Sequence, residues 1–371
     1  TLLADFGADV IRIERQGGSE DRTLAPVTDD GEGALFLQLN RNKRSLTLDP
    51  RAAGAGEILR RLVAKTDVVV ANVPTMALAK MGIDYPTLSE IRADIILANV
   101  SCFGPIGPWA DRPGFDSVGQ AMCGSAYLSG EGDTPYRTPI SWVDHATALY
   151  TAFGVMVALH ERAQTGRGQQ INGSLLGSAL AFSSNLLIEQ AVKGLNRTAT
   201  GNRSLFNGPT DAFRTTDGWI VTQVVGQPLF KRWVQLMGEP NWLEDPRFAT
   251  DQLRGDNGAL LSERMAAWCA TRTSAEALDA LGSANIPAGP VLSPQQALDH
   301  EQVQAMGILA PTMVAGLDQP APLMLPPITL GATPADIRLR PPGIGEHTDE
   351  ILAELSFSEA EREQLKADRA V

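Results

Sequence analysis

Cysteine, histidine and positive charge are all in short supply. Three cysteines, Cys102, Cys123 and Cys269, are too scattered for a disulfide framework or a paired metal site, which suits a reducing cytoplasm. Four histidines, His145, His160, His300 and His347, are equally dispersed, so no structural metal is expected. No apolar run approaches the roughly 18 residues that span a bilayer, and no stretch reads as a cleavable signal. Lys and Arg total 31 against 43 Asp and Glu, and the net charge of −12 argues against nucleic acid or an anionic membrane as partner. What remains is 43% hydrophobic and 20% charged with no low-complexity tract, the profile of a globular protein. At 371 residues it is long enough for two core-bearing parts, since single cores rarely exceed about 250–300 residues.

The first third alternates between strand and helix signals. Val10–Ile13 and Arg44–Leu48 read as strands, followed by a helix near Ala53–Lys65 and an apolar strand at Asp67–Val73. A short helix at Leu88–Arg92 and a strand at Asp94–Ser101 come next. Such alternation predicts a parallel sheet with crossover helices. Gly31-Glu32-Gly33 and Gly54-Ala55-Gly56 do not complete a dinucleotide fingerprint. Phe36 and Leu59 stand where the third glycine belongs, and Asn72 where an acidic residue does. Residues 101–136 read as loops with a short helix at Ser117–Cys123. Asp217-Gly218 between alternating residues signals a hairpin, and helices follow near Gln227–Leu236, Gly258–Ala270 and Ser274–Leu281. Lys193–Gly208 reads as a linker or loop, and Pro311–Pro342 as an extended return linker. Two short helices, the second opening on a Ser358…Glu361 capping box, close the chain.

Between Arg137 and Leu180 lies the most informative stretch. Asp144 opens a helix with Ala146, Leu149, Phe153, Met156, Val157 and Leu159 at helical spacing. Thr165–Gln169 breaks it, and Gln170–Asn172 reads as a short strand before a second apolar helix, near Ser174–Val192. A carboxylate at a helix start has two readings. It is a cap for orphan N–H groups, or a reactive group at the positive end of a dipole. The residues alone leave both open.

The run WVDHATALYTAFGVMVALHERAQTGRGQ resembles the central motif of the class III CoA-transferases, the family of formyl-CoA transferase and carnitine CoA-transferase. LLADFGADVIRIERQGGSEDR, LNRNKRSLTLD, IPAGPVLSPQQAL and GEHTDEIL resemble further family motifs in the family's order, so the likeness runs along nearly the whole chain. It implies an α/β fold: a Rossmann-like parallel-sheet large domain (1–195) and a smaller α+β domain (196–310). A return segment (311–371) carries the C-terminal helices, and long linkers suit an interlocked homodimer. It also implies that Asp144 is the nucleophile in CoA transfer from an acyl-CoA to a small carboxylic acid, with CoA as substrate and no tightly bound cofactor.

By the same resemblance, Arg15 matches a CoA-contacting arginine, and Lys80 stands where the family often has arginine. Leu48 to Arg51 and Asn72-Val73-Pro74 match the backbone around the nucleotide. Phe115 and Asp116 match the loop beside the pantetheine. Bland readings stand next to these. Arg15, Arg22, Arg41, Lys43, Arg44, Arg51 and Lys80 also read as a solvated face, and Phe115 also reads as core. In the racemase branch a histidine stands at the position of Phe115. Phenylalanine moves no proton, and His145 points about 100° away from its neighbour Asp144, so the racemase reading falls behind. A silent CoA-binding protein is the remaining alternative; loss of the aspartate would mark it, and Asp144 is present. The family's run of glycines has no counterpart, Gly201 to Pro209 occupying that part of the chain. About one βα half-unit before Thr1 is expected from the family pattern.

Overall fold

Val10–Glu14 (β1) and Lys43–Thr47 (β2) pair in parallel, Val10 opposite Lys43 through Glu14 opposite Thr47. The computed structural model describes residues 1–371. A second parallel sheet runs in the order β3 (Val68–Ala71), β4 (Ile96–Ser101) and β5 (Gln170–Ser174). The single parallel layer expected from the sequence is therefore two parallel sheets within an α/β architecture. β4 is the middle strand, and Ile96, Leu97 and Ala98 have no exposed surface. Burial on both faces is why it reads as an unbroken apolar run. Helices Thr75–Met81 and Tyr85–Ile91 connect β3 to β4, and the central helix Trp142–Thr165 lies between β4 and β5 in the chain.

By contacts the chain divides into two compact units. The first comprises residues 1–116, 142–178 and 298–371; the second comprises 117–141 and 179–297. The division thus runs at 179 and 298, not at 195 and 310, and it assigns 117–141 to the second unit. There an antiparallel sheet of β6 (Thr210–Arg214), β7 (Trp219–Gln223) and β8 (Ala288–Pro290) packs with helices around Phe230, Trp233, Phe248 and Met265. Two expectations need correction. The apolar stretch 174–192 is two helices, Leu175–Phe182 and Ser184–Lys193, broken at Ser183. Its Ser183-Ser184-Asn185 run offers side chains that compete with helical backbone bonds. Pro311–Pro342 is not wholly extended linker: Leu309–Thr312 (β9) and Ala321–Met324 (β10) form an antiparallel pair. No single helix is long and apolar enough to cross a membrane.

Ionic pins tie β1 and β2 to segments elsewhere in the chain. Arg22 donates from Nε and Nη2 to Glu14 at 2.9 and 2.7 Å, and from Nη2 to the Pro342 carbonyl at 3.1 Å. Ser45 on β2 donates to the same carboxylate at 2.6 Å. Arg41 pairs with buried Asp5 at 2.7 Å, and Arg44 with Asp9, Glu350 and Glu354. Burial, and then the charge of Arg12, pushes Lys43 down to about 8. Arg22, Arg41, Lys43 and Arg44 are structural groups, not members of a solvated cationic face. The C-terminal motif docks on β2: the Gly345 N–H donates to Ser45 Oγ at 2.8 Å and the His347 N–H to the Ser45 carbonyl at 3.0 Å. Gly345 has φ +63, and a Cβ there would sit 3.0 Å from Thr47, so glycine is required at this turn.

Burial alone would raise the Glu14 pKa. The bonds from Arg22 and Ser45 and the charges of Arg22 and Arg12 outweigh it and hold Glu14 below the ordinary range. Its stabilisation is therefore full above the unfolded-state value of about 4.3 and is lost as pH falls through the folded value. Glu14→Gln leaves Arg22 with one buried partner fewer and is expected to cost about 3 kcal/mol at pH 7. Thermal unfolding of both proteins should show the gap in Tm narrowing below about pH 4. A gap that stays constant down to pH 3 would contradict this account.

Candidate active site

The carboxyl end of β4 runs into Ser101-Cys102-Phe103, and three segments of the first unit meet there. Gly114, just before Asp116, lies against the buried Cys102: a Cβ at 114 would come 2.3 Å from the thiol sulfur. The N–H of Leu176, at the start of the helix after β5, donates to the Cys102 carbonyl at 2.9 Å. The third segment is the first turn of the central helix, whose Val143, Ala146, Thr147, Thr151, Val155 and Ala158 form its buried face. That periodicity turns Asp144 away from the core and leaves it exposed.

The helix starts at Trp142, so Asp144 is its third residue and not its cap. Asp116 Oδ2 accepts from the Val143 N–H at 2.7 Å and from the Asp144 N–H at 3.2 Å. The capping reading of Asp144 is thus corrected, because another carboxylate fills that role. The Asp144 side chain is accessible along one side, while surrounding protein partly desolvates its carboxyl. This burial, and then the Asp116 charge, raises its pKa above the usual carboxylate range, against a smaller lowering by His145. The Cys102 thiol is raised in turn, by burial and then by Asp144. A carboxylate so held is more basic than a free aspartate.

Phe115 is 79% exposed, so it is not a core residue. Asp116, expected beside the pantetheine, is 7% exposed and bonded to the helix start. The expected nucleotide-contacting residues lie at carboxyl ends of parallel strands, where open α/β sheets take ligands. Arg15 follows β1, exposed and paired with Glu20 at 2.6 Å. Leu48 follows β2 with its side chain in the core, so only its backbone is available to a ligand. Arg51 is exposed and paired with Asp49 at 3.1 Å. Asn72, Val73 and Pro74 follow β3 and lead into helix Thr75–Met81, where Lys80 is exposed in the last turn. Lysine brings a point charge to a phosphate, without the arginine fork. Beside the ends of β1 and β2 opens a cavity of about 340 Å³ lined by Gln16, Thr47, Gly345, Thr348 and Lys366 among others. Thr348 and Lys366 lie outside the residues expected from the sequence. GEHTDEIL was a signal for the former; nothing local marks Lys366.

The family model for CoA-transferase family III matches residues 1–348. A succinyl-CoA–D-citramalate CoA-transferase of Chloroflexus aurantiacus is 32% identical over 100% of this chain and 93% of its own length. A succinate–glutarate CoA-transferase of Agrobacterium fabrum is 30% identical over 96% of this chain and 91% of its own. Among solved structures, a CaiB/BaiF family protein from Brucella suis superposes with a TM-score of 0.80 at 31% identity, covering 95% of this chain and 93% of that one.

Gly114→Ala places a methyl group into Cys102 and is expected to destabilise the protein by about 1–3 kcal/mol. Adding Cys102→Ala, which removes the sulfur, should recover part of that loss. A double-mutant cycle in thermal unfolding measures the coupling. Additive losses would mean that the two residues do not meet.

Proposed function

The chain belongs to CoA-transferase family III, and from that premise we propose that Asp144 is the nucleophile through which CoA passes from an acyl-CoA to a carboxylic acid. The observation that carries this reading is the Asp144 carboxyl itself. It is exposed at the first turn of the central helix and more basic than an ordinary aspartate. An Asp144 oxygen attacks the thioester carbonyl carbon; the C–S bond breaks and its electron pair leaves as CoA thiolate, giving an aspartyl–acyl anhydride. The thiolate attacks the aspartyl carbon, the donor carboxylate departs, and an aspartyl-CoA thioester remains. The acceptor carboxylate attacks that thioester and again releases thiolate. The thiolate then takes the acceptor's acyl carbon, freeing Asp144. Every step exchanges one acyl carboxylate derivative for another, which makes a carboxylate a suitable nucleophile.

In this reading Arg15, Arg51 and Lys80 meet CoA phosphates. The backbone at Leu48 and the segment Asn72-Val73-Pro74 cradle the nucleotide, and Phe115 lies along the pantetheine. Two of the relatives above carry names that pair succinate or its CoA ester with citramalate or glutarate, so a short dicarboxylate is the acceptor class proposed. Two copies of the chain are proposed to associate. The central helix exposes Leu149, Tyr150, Phe153, Met156 and Val157 at helical spacing, and helix Ser184–Lys193 exposes Leu187, Ile188 and Val192. Apolar stripes of this extent suit burial against a partner, and a two-fold homodimer is the commonest way to provide one. Three free cysteines suit a reducing compartment, and the cytoplasm is the proposed location.

Incubation with acyl-CoA donors and a panel of short dicarboxylates, read by mass spectrometry, should reveal CoA exchange. Hydroxylamine added during turnover should convert Asp144 to a hydroxamate, within the peptide between Arg137 and Arg162 and in no other. Asp144→Asn should abolish turnover with the fold intact. Transfer without that label, or near-normal rates in Asp144→Asn, would overturn the nucleophile.

Sedimentation equilibrium should give a dimer, and Phe153→Glu should shift it towards monomer. A stable, active wild-type monomer would overturn the self-association.

A further inference from the structure

Two carboxylates compete for the start of the central helix. The first-turn N–H groups of a helix have no partner within it, and here Asp116 takes those of Val143 and Asp144 at 2.7 and 3.2 Å. Left open, the same groups would be donors near the Asp144 carboxylate. Hydrogen bonds to the charged form lower a carboxylate's pKa and blunt it as a nucleophile. Asp116 is buried and carries its charge close enough to act on Asp144. The other titratable groups facing Asp144 are His145, next to it on the helix, and the Cys102 thiol at the end of β4. Neither occupies the helix N–H groups.

We infer that Asp116 is a positioning residue for the transfer: it occupies the N–H groups that would otherwise draw on Asp144, and it faces Asp144 with a second negative charge. The inference rests on the reading of Asp144 as nucleophile. On this account Asp116 touches neither CoA nor the acyl group, and works by keeping the helix start ordered and Asp144 basic. Attack by Asp144 then comes from a carboxylate that the helix N–H groups do not satisfy.

Asp116→Asn separates the two effects, since the amide oxygen still accepts from the helix N–H groups while the charge is gone. Two readouts are needed. Carbon-13 NMR of the aspartate carboxyls, assigned with Asp144→Asn, follows the titration of Asp144 without any donor. Rapid-quench trapping with hydroxylamine, using succinyl-CoA as probe, follows formation of the covalent species across pH. Asp116→Asn should fold and melt close to the wild type, with the Asp144 midpoint lower by about one pH unit. The acid limb of the trapping rate should move by the same amount, and the plateau should drop about three-fold, as a weaker base makes a weaker nucleophile. Asp116→Ala frees the N–H groups as well, and should lower midpoint and plateau further; if it fails to fold, Asp116→Asn carries the test. An unchanged midpoint and limb in Asp116→Asn would overturn the inference, even if the protein were less stable. Failure of the nucleophile reading looks different: no hydroxamate at Asp144 in the wild type, whatever the midpoints, and the positioning role falls with it.

Discussion

A helix presents its first free N–H groups only once, and the carboxylate that takes them determines what every nearby carboxylate can do. Here the taker is Asp116 and the neighbour is Asp144. Much of the first unit contributes to this arrangement. β4 carries Cys102 to the spot, Gly114 lets the loop before Asp116 lie directly on that sulfur, and β5 leads into a helix whose start is tied to the Cys102 carbonyl. A larger residue at 114 would displace the carboxylate two positions later.

Around β1 and β2 the chain uses charge for a different purpose. Glu14, Arg22 and Ser45 form a buried network, and Arg22 also reaches the Pro342 carbonyl, hundreds of residues away in the chain. Arg22 lies over the Phe36 ring at 3.9 Å, so its flat face is covered while its edge is bonded. Breaking such a buried pair is costly because the surviving charge stays desolvated. The cost secures the C-terminal segment on the sheet edge where the Gly345–Thr348 turn helps to line a cavity.

These two uses of charge separate the cations of the first unit. Arg22, Arg41, Lys43 and Arg44 are enclosed or multiply paired, and so hold structure together. Arg15, Arg51 and Lys80 stand exposed after strand ends or at a helix end. Exposed ion pairs such as Arg15–Glu20 and Arg51–Asp49 contribute little stability and exchange readily for a stronger anionic partner. A chain of strongly negative net charge thus keeps accessible cations at strand ends.

Much was legible from local pattern alone. The apolar runs at 67–73 and 94–101 announced parallel strands, of which β4 is buried while β3 is not, with Val70 67% exposed. Ser358…Glu361 announced a capping box that both side chains complete. Asp217-Gly218 announced the turn between β6 and β7. The motif around Asp144 marked the residue and its family. Such features depend on near neighbours in the chain, and hydrophobic period, caps and turns are read within a few residues. What the local pattern left open was which side chains meet across the chain. Whether Asp144 caps its helix could not be read from 142–146, because the competing carboxylate belongs to residue 116. Whether Arg22 is solvated or buried depends on Glu14, Glu32 and Pro342. Sequence by itself determined many of the elements, the family and the candidate carboxylate. Only the tertiary structure decided its raised basicity, its freedom from capping and the fate of each cation, because desolvation and hydrogen bonding are set by atoms that folding alone brings together.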